Sequence, residues 1–276
     1  MVNWGYAIAL LPIYVFIWLP ISHILFGAAK NPADARYRTL NSSLIASNDP
    51  LPCISHSYYT FILSQEPLII YIENFLSSQE SDHLLQISED KFAPSTVSTG
   101  PETSIKRDIR LSEVALIDRD EIVRCIEHRA RAFQGWRPEL HIERLRTQRY
   151  GVGGHYGDHY DWSGASREAD RVSTFMVYVK ADCDGGGTKF PRIKMPFVGN
   201  NTRWCEFLEC GKQEGGIGTG EDWGVTFKPI GGNAIFWENL RSDGSGYEET
   251  IHAALPVVSG TKVGLNIWSW GPARRK

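Results

Sequence analysis

From Ile142 onward the chain alternates short apolar runs with glycine-bearing turns: HIERLRTQRY, VSTFMVYVK, GNAIFWENL and KVGLNIWSW. Several short strands parted by turns predict an all-β sandwich or barrel. Upstream the pattern changes. Pro67 opens a β-rich run, LIIYIENFL, and residues 77–91 follow with helical spacing. Ser77 and Glu80 stand three apart at the head of that stretch. This is a capping-box pattern, in which each side chain can satisfy a backbone N–H beside the other. Residues 120–133, DEIVRCIEHRARAF, predict a second amphipathic helix. The expected fold is therefore mainly β with flanking helices. Residues 192–226 interrupt the strand pattern with a long excursion bearing Gly and Trp, and insertions of this sort are often lids or partner loops.

The amino terminus reads differently. No Asp, Glu, Lys or Arg precedes Lys30, and residues 6–26, YAIALLPIYVFIWLPISHILF, are mostly apolar. Crossing a bilayer takes ~20 apolar residues, so this stretch is a candidate membrane anchor. Pro12 and Pro20 are better tolerated in lipid than in a soluble helix. The alternatives are a buried core helix and a cleaved signal peptide. Gly27-Ala28-Ala29 would serve as the small-residue cleavage site of a signal, although its positive n-region is missing. Lys30, Arg36 and Arg38 follow the stretch, and the positive-inside rule then leaves the body of the chain in the cytosol. A cleaved signal or a lumenal enzyme needs the opposite. Residues 30–66, rich in Asn, Ser and Pro without sustained periodicity, read as a linker or stalk.

A formal net charge of -3 gives no sign of the basic face that nucleic-acid binding requires. The one locally basic run, Arg274-Arg275-Lys276, reads as a solvated end. There are five cysteines, and the odd total leaves at least one free thiol. Cys205 and Cys210 lie in one apparent loop and could close a short disulfide in an oxidising compartment. No C-x-x-C pair suggests a structural zinc. Asn41-Ser42-Ser43 and Asn200-Asn201-Thr202 are glycosylation sequons, a triplet that also arises often by chance.

His159-Tyr160-Asp161 is the sharpest chemical feature. On an extended segment, residues two apart point to one face, so an imidazole and a carboxylate can approach one ion. His252, ahead of a distant apolar strand, is the candidate third ligand of a facial 2-His-1-carboxylate set with open positions. With eight histidines in the chain, the tripeptide alone would as readily be a surface turn. His155 is a competitor, but it has Gly157 and not an acid two residues on, and it reads as a turn or rim residue.

The context changes this balance. In order, RYGVGGHYGDHYDW, RVSTFMVYVK, GGGTKFP, GNAIFWEN and HAALPVVSGTKVGLNIWSW closely resemble the prolyl 4-hydroxylase catalytic domain of the Fe(II)/2-oxoglutarate-dependent dioxygenases. The resemblance extends upstream through PLIIYIENFLSSQESDHLL and IKRDIRLSEVALI, and covers residues 67–271. It implies a double-stranded β-helix (jelly-roll, cupin-like) core in a dioxygenase domain at 67–276, behind the 1–29 segment and the 30–66 linker. Carried over by position, His159, Asp161 and His252 match the iron ligands, and Lys262 matches the base that pairs with the distal carboxylate of 2-oxoglutarate. Tyr150 and Thr188 match hydroxyls sharing that carboxylate, and Trp268 an aromatic lining the cosubstrate pocket. Arg171 resembles a catalytic-site arginine near the substrate mouth, while Tyr160 and Trp162 flank the metal pair and could shape the substrate channel. Read alone, each of these is equally ordinary core, turn or surface material.

The implied cofactors are Fe(II), 2-oxoglutarate and O2, with ascorbate keeping the iron reduced. The implied substrate is peptidyl proline, in the endoplasmic reticulum or elsewhere in the secretory pathway. The 192–226 excursion, longer than the typical family loop, keeps a small-molecule substrate as the alternative. A catalytically inactive binding module would need a broken triad or a lost carboxylate anchor, and the sequence has neither.

Overall fold

The structure, a computed structural model, describes residues 52–98, 103–164, 169–196, 203–210 and 224–273. The expected anchor or signal at 1–29, both sequons and the basic tail lie outside these residues. Among the described residues no helix is long and apolar enough to cross a membrane.

The chain opens with β1 (Tyr59–Gln65) and β2 (Leu68–Glu73), followed by α1 (Ser78–Ser88). Short strands β3 (Ala93–Pro94), β4 (Val97–Ser98), β5 (Thr103–Ser104), β6 (Arg110–Leu111) and β7 (Glu113–Leu116) lead to α2 (Glu121–Phe133). Then come β8 (His141–Ile142), β9 (Arg146–Tyr150), β10 (His155–His159), the long β11 (Ala169–Gly185) and β12 (Thr188–Phe190). A short helix, α3 (Trp204–Phe207), precedes β13 (Val225–Phe227), β14 (Ala234–Glu238), β15 (His252–Ala254) and the long β16 (Val257–Pro272).

Helices α1 and α2 start as their caps require. The Ser77 hydroxyl accepts the Glu80 N–H, and the Glu80 carboxylate accepts the Ser77 N–H, completing the box. Asp120 caps α2 by accepting from the Val123 N–H. One expectation needs correction: residues 59–65, read as linker, form β1, paired antiparallel with β2. Most of β1 is exposed at the sheet edge, so its sequence carries little of the alternation that marks a half-buried strand.

The strands build a major antiparallel sheet ordered β1-β2-β14-β11-β16-β9-β7-β3, with β8 on β16, and a minor sheet ordered β13-β12-β15-β10-β6. The two-residue side-chain period sorts the major sheet into two faces. Ile70 and Ile72 of β2, Phe175 and Val177 of β11, Phe236 of β14 and Val263, Leu265 and Ile267 of β16 join the core cluster that includes Leu84 of α1 and Ile126 of α2. Their neighbours Ile69, Tyr71, Met176, Tyr178, Ile235 and Trp237 join a second cluster with Phe190, Val225 and Phe227 of the minor sheet. This is the double-stranded β-helix arrangement, with helices covering one face of the major sheet.

Two disulfides are present. Cys205–Cys210 closes the predicted short loop. Cys53–Cys125 ties the segment before β1 to α2 across a sequence separation of 72, leaving Cys183 free. Part of the 192–226 excursion is rooted in the core, with Phe207 and Leu208 buried in the inter-sheet cluster.

Candidate metal centre

β10 and β15 pair antiparallel, with His159 and His252 as direct partners and their rings 4.2 Å apart. Asp161 lies in the bend just past β10, which ends at His159. One ligand atom from each of the three lies within 4.8 Å of the others, and no further such group occurs among the described residues. His159 Nε2 is 3.8 Å from Asp161 Oδ1, and His252 Nε2 is 3.8 Å from Asp161 Oδ2, beyond hydrogen-bonding distance. Oδ2 is buried and has no hydrogen-bond partner.

The ring nitrogens are already assigned by their surroundings. His159 Nδ1 lies 2.9 Å from the Gly157 carbonyl, and His252 Nδ1 lies 3.0 Å from the Thr250 carbonyl. A carbonyl only accepts, so each Nδ1 carries a proton, and in the neutral ring Nε2 is the nitrogen with the lone pair. Burial, then the neighbouring His252, push the His159 pKa down to about 3 against the pull of Asp161, so this imidazole is neutral near pH 7. Burial raises the Asp161 carboxyl, but His252, His159, Arg171 and a hydrogen bond from Thr174 outweigh it and hold the group below its ordinary value. Two imidazoles with Nε2 turned inward and one carboxylate, whose buried Oδ2 is orphaned, fit a divalent metal ion with open positions.

Aromatic rings hold the histidines. Trp237 packs edge-on to His252 at 4.8 Å, and Phe190 stacks on it at 5.5 Å. Tyr156 stacks on His159 at 3.7 Å, with the Arg110 guanidinium 4.5 Å from the Tyr156 ring centroid. Tyr156 and Arg110 were not singled out from the sequence. At three residues from His159, Tyr156 should face the other side of β10, but the register shifts between Tyr156 and His159 and brings the rings together.

Lys262 is fully buried on the inner face of β16, opposite Tyr150 of β9. Its Nζ donates to the Gly186 carbonyl at 2.5 Å and sits 4.6 Å from the Tyr150 ring centroid. Burial pushes its pKa down to about 8, with Cys183 the one opposing influence. Tyr150 is buried and its phenol is raised, chiefly by that burial. Thr188, two residues past Gly186, is buried and accepts from the Tyr178 hydroxyl at 2.8 Å. Trp268 shares Lys262's face but lies six residues, roughly 20 Å, farther along the strand. There it faces Thr174, toward the Asp161 end, and its Nε1 is buried without a partner.

Arg171 stacks over Trp268 at 3.8 Å and makes two hydrogen bonds to Glu143, each 3.0 Å. Tyr160 and Trp162 pack together at 4.7 Å, and the Tyr160 hydroxyl donates to the Glu248 carbonyl at 3.3 Å. His155 does not join the metal group: its ring nitrogens lie 2.9 and 3.2 Å from the Gly153 and Asp108 carbonyls.

Residues 145–270, which include all three candidate ligands and Lys262, match the family model of the 2OG-Fe(II) oxygenase superfamily. The chain resembles the oxygenases of this superfamily. The oxygenase is 29% identical over 219 residues to probable prolyl 4-hydroxylase 3 of Arabidopsis thaliana, a match covering 76% of this chain and 71% of the relative. It is 27% identical over 220 residues to human prolyl 4-hydroxylase subunit alpha-3, covering 75% of this chain and 34% of that one. Among solved structures, it resembles the 2OG complex of the viral collagen prolyl hydroxylase of Paramecium Bursaria Chlorella virus-1. The identity is 25% and the TM-score 0.52, with 74% of this chain and 96% of that chain covered. The enzyme is thus an oxidoreductase of the prolyl 4-hydroxylase type that uses Fe(II) and 2-oxoglutarate.

Proposed function

We propose that this dioxygenase hydroxylates peptidyl proline, with iron held by His159, Asp161 and His252 and the distal carboxylate of 2-oxoglutarate held by Lys262. The observation that carries the site assignment is Lys262 itself: a fully buried ammonium whose one hydrogen bond runs to a carbonyl. Such a group is costly unless an anion completes it. Tyr150, beside the ammonium, and Thr188 offer the hydroxyls that would share the carboxylate. The names of the relatives, prolyl 4-hydroxylases of plants and animals, support the substrate.

When bound, iron and 2-oxoglutarate supply the oxidising power for hydroxylating an unactivated C–H bond with O2, releasing succinate and carbon dioxide. The chain orients and shields. The Gly157 and Thr250 carbonyls hold the two Nδ1 protons, so that Nε2 of each ring is the nitrogen turned to the ion, and Asp161 supplies the negative charge. Tyr156 and the ring pair Phe190 and Trp237 limit rotation of the two imidazoles. Arg171, braced by Glu143 and Trp268, offers a charged edge beside Asp161 toward an incoming peptide.

Two disulfides support an oxidising compartment, in keeping with a secretory-pathway enzyme held by its apolar N-terminal segment as anchor. Ascorbate as external reductant belongs to the same reading. The test is a turnover assay on the full chain with Fe(II), 2-oxoglutarate, ascorbate and a proline-rich peptide. The expected products are succinate in step with peptide and one added oxygen on proline. Succinate that no proline peptide stimulates would overturn the substrate and leave the dioxygenase standing.

A further inference from the structure

A cavity of about 300 Å³ lies where β3, β7 and β9 of the major sheet meet β6 of the minor one. Two short steps join it to the metal centre. The Arg110 guanidinium, in its wall, sits 4.5 Å from the Tyr156 ring centroid, and that ring stacks on His159 at 3.7 Å. Ile105, Leu111 and Val152 stand exposed around the cavity, an apolar rim of the kind a bound chain covers.

The lining carries three guanidiniums, Arg107, Arg110 and Arg149, and among its described residues one carboxylate, Glu113. Arg149 and Glu113 satisfy each other at 2.8 Å, and Arg149 also reaches Glu89 at 2.9 Å. Arg107 is exposed and has neither a hydrogen bond nor an ion pair among the described residues. Arg110 donates from Nε to the Ser112 hydroxyl at 2.9 Å and has no carboxylate partner among them. The hydroxyls continue this line of donors. Ser112 accepts from Arg110, so its own proton goes to Ser95 Oγ, 2.8 Å away. Ser95 is buried in the wall, and its proton has no acceptor among the described residues. A buried donor without an acceptor is unfavourable. Two cations without a counter-charge and one unanswered hydroxyl proton, in one cavity, suit an acceptor that is also an anion.

We propose that this cavity seats the carboxylate of an acidic residue in the peptide substrate, held by Arg107 and Arg110 with Ser95 completing its hydrogen bonds. This rests on peptidyl proline being the substrate, and it adds a preference for acidic sequence around that proline. Extended chain advances ~3.3 Å per residue, so with the target proline at the metal the acid falls roughly two to four positions away. Guanidinium and carboxylate match in charge and in the fork of their donors and acceptors. A basic residue at the same position would meet like charge and be rejected.

The experiment uses the full chain and dye-labelled peptides holding one proline, in which a single Glu is walked from four residues before it to four after. Each peptide has a twin with Gln at the same place. Binding is read by fluorescence anisotropy, apart from turnover, and succinate release is measured on the same peptides. One Glu position is expected to bind about three- to tenfold more tightly than its Gln twin, the scale of a partly exposed charge-assisted hydrogen bond. Arg107→Gln should bind the two twins alike, and Arg107→Glu should favour a third twin with Lys. Arg107 has no partner to lose, so both variants should melt like wild type. Equal binding of the twins at every position, or no binding, overturns the proposal, as does a Glu preference that survives both substitutions. If the twins bind alike and both stimulate succinate, only the role of the cavity fails. If the Glu preference holds while no peptide stimulates succinate, the cavity stands as a site for acidic peptide and the proline reading fails.

Discussion

His159 and His252 face each other across the β10–β15 ladder, and each gives its Nδ1 proton to the carbonyl two residues before it. The same local device on two antiparallel strands therefore leaves two Nε2 lone pairs converging beside one buried carboxylate oxygen. Removing either ring is expected to abolish the site. In anaerobic solution with Fe(II) and 2-oxoglutarate, wild-type protein should show the weak visible charge-transfer band of an iron–ketoacid chelate. His159→Ala and His252→Ala should lack it while keeping a folded β spectrum.

Lys262 makes the affinity for 2-oxoglutarate dependent on pH. Its pKa is near 8 in the free protein, and a bound carboxylate would raise it. Affinity should therefore be flat below pH 8 and weaken above it, by about tenfold per pH unit until the bound-state pKa is reached. Lys262→Ala should remove this dependence and raise the dissociation constant roughly 10- to 100-fold, the scale of one charged hydrogen bond. Titration of the chelate band from pH 7 to 9.5 checks both.

The metal-free protein should lose stability on mild acidification through His159. The pKa of this group lies below its ordinary value in the folded state, so its contribution is complete above about pH 6.5 and is lost as the pH falls toward the folded value. The melting temperature of the metal-free protein should fall between pH 7 and 5, and less steeply in His159→Gln. Equal slopes would sink the assignment of this dependence to His159.

The two disulfides should differ in worth. Closing the long Cys53–Cys125 loop restricts the unfolded chain by about 4 kcal/mol in the chain-entropy account, and the five-residue separation of Cys205–Cys210 by about 2 kcal/mol. Denaturant melts of Cys53→Ser/Cys125→Ser against Cys205→Ser/Cys210→Ser should show the larger loss in the first pair.

Gly246 has no room for a side chain, because a Cβ there would lie 2.3 Å from the ring of Trp162, the neighbour of Asp161. Gly246→Ala should displace that ring and cost ~1–3 kcal/mol of stability. Thermal melts, with Co(II) titration alongside, test whether the displacement reaches the metal ligands.

Much of the site was legible in the chain because strand parity and motif order both point to it. Even-numbered Lys262 on a strand whose odd residues Val263, Leu265 and Ile267 fill the core has to face inward. What stayed hidden depends on distant pairing. Tyr156 meets His159 only through the irregularity in β10, and Cys53 and Cys125 meet only after the chain has folded.

Phe190 of β12 and Val225 of β13 are partners on adjacent strands, so the long excursion departs from and returns to neighbouring points on the margin of the minor sheet. Between those feet, chain outside the buried Ile193, Phe207 and Leu208 can be shortened or lengthened at small cost, since each doubling of loop length adds only about 0.6 kcal/mol of closure entropy. The same scaffold could thereby acquire new recognition elements by grafting at one seam while β10, β15 and β16 stay as they are. A chimera that replaces 211–223 and keeps the buried Ile193, Phe207 and Leu208 is the natural starting point for changing what this enzyme accepts.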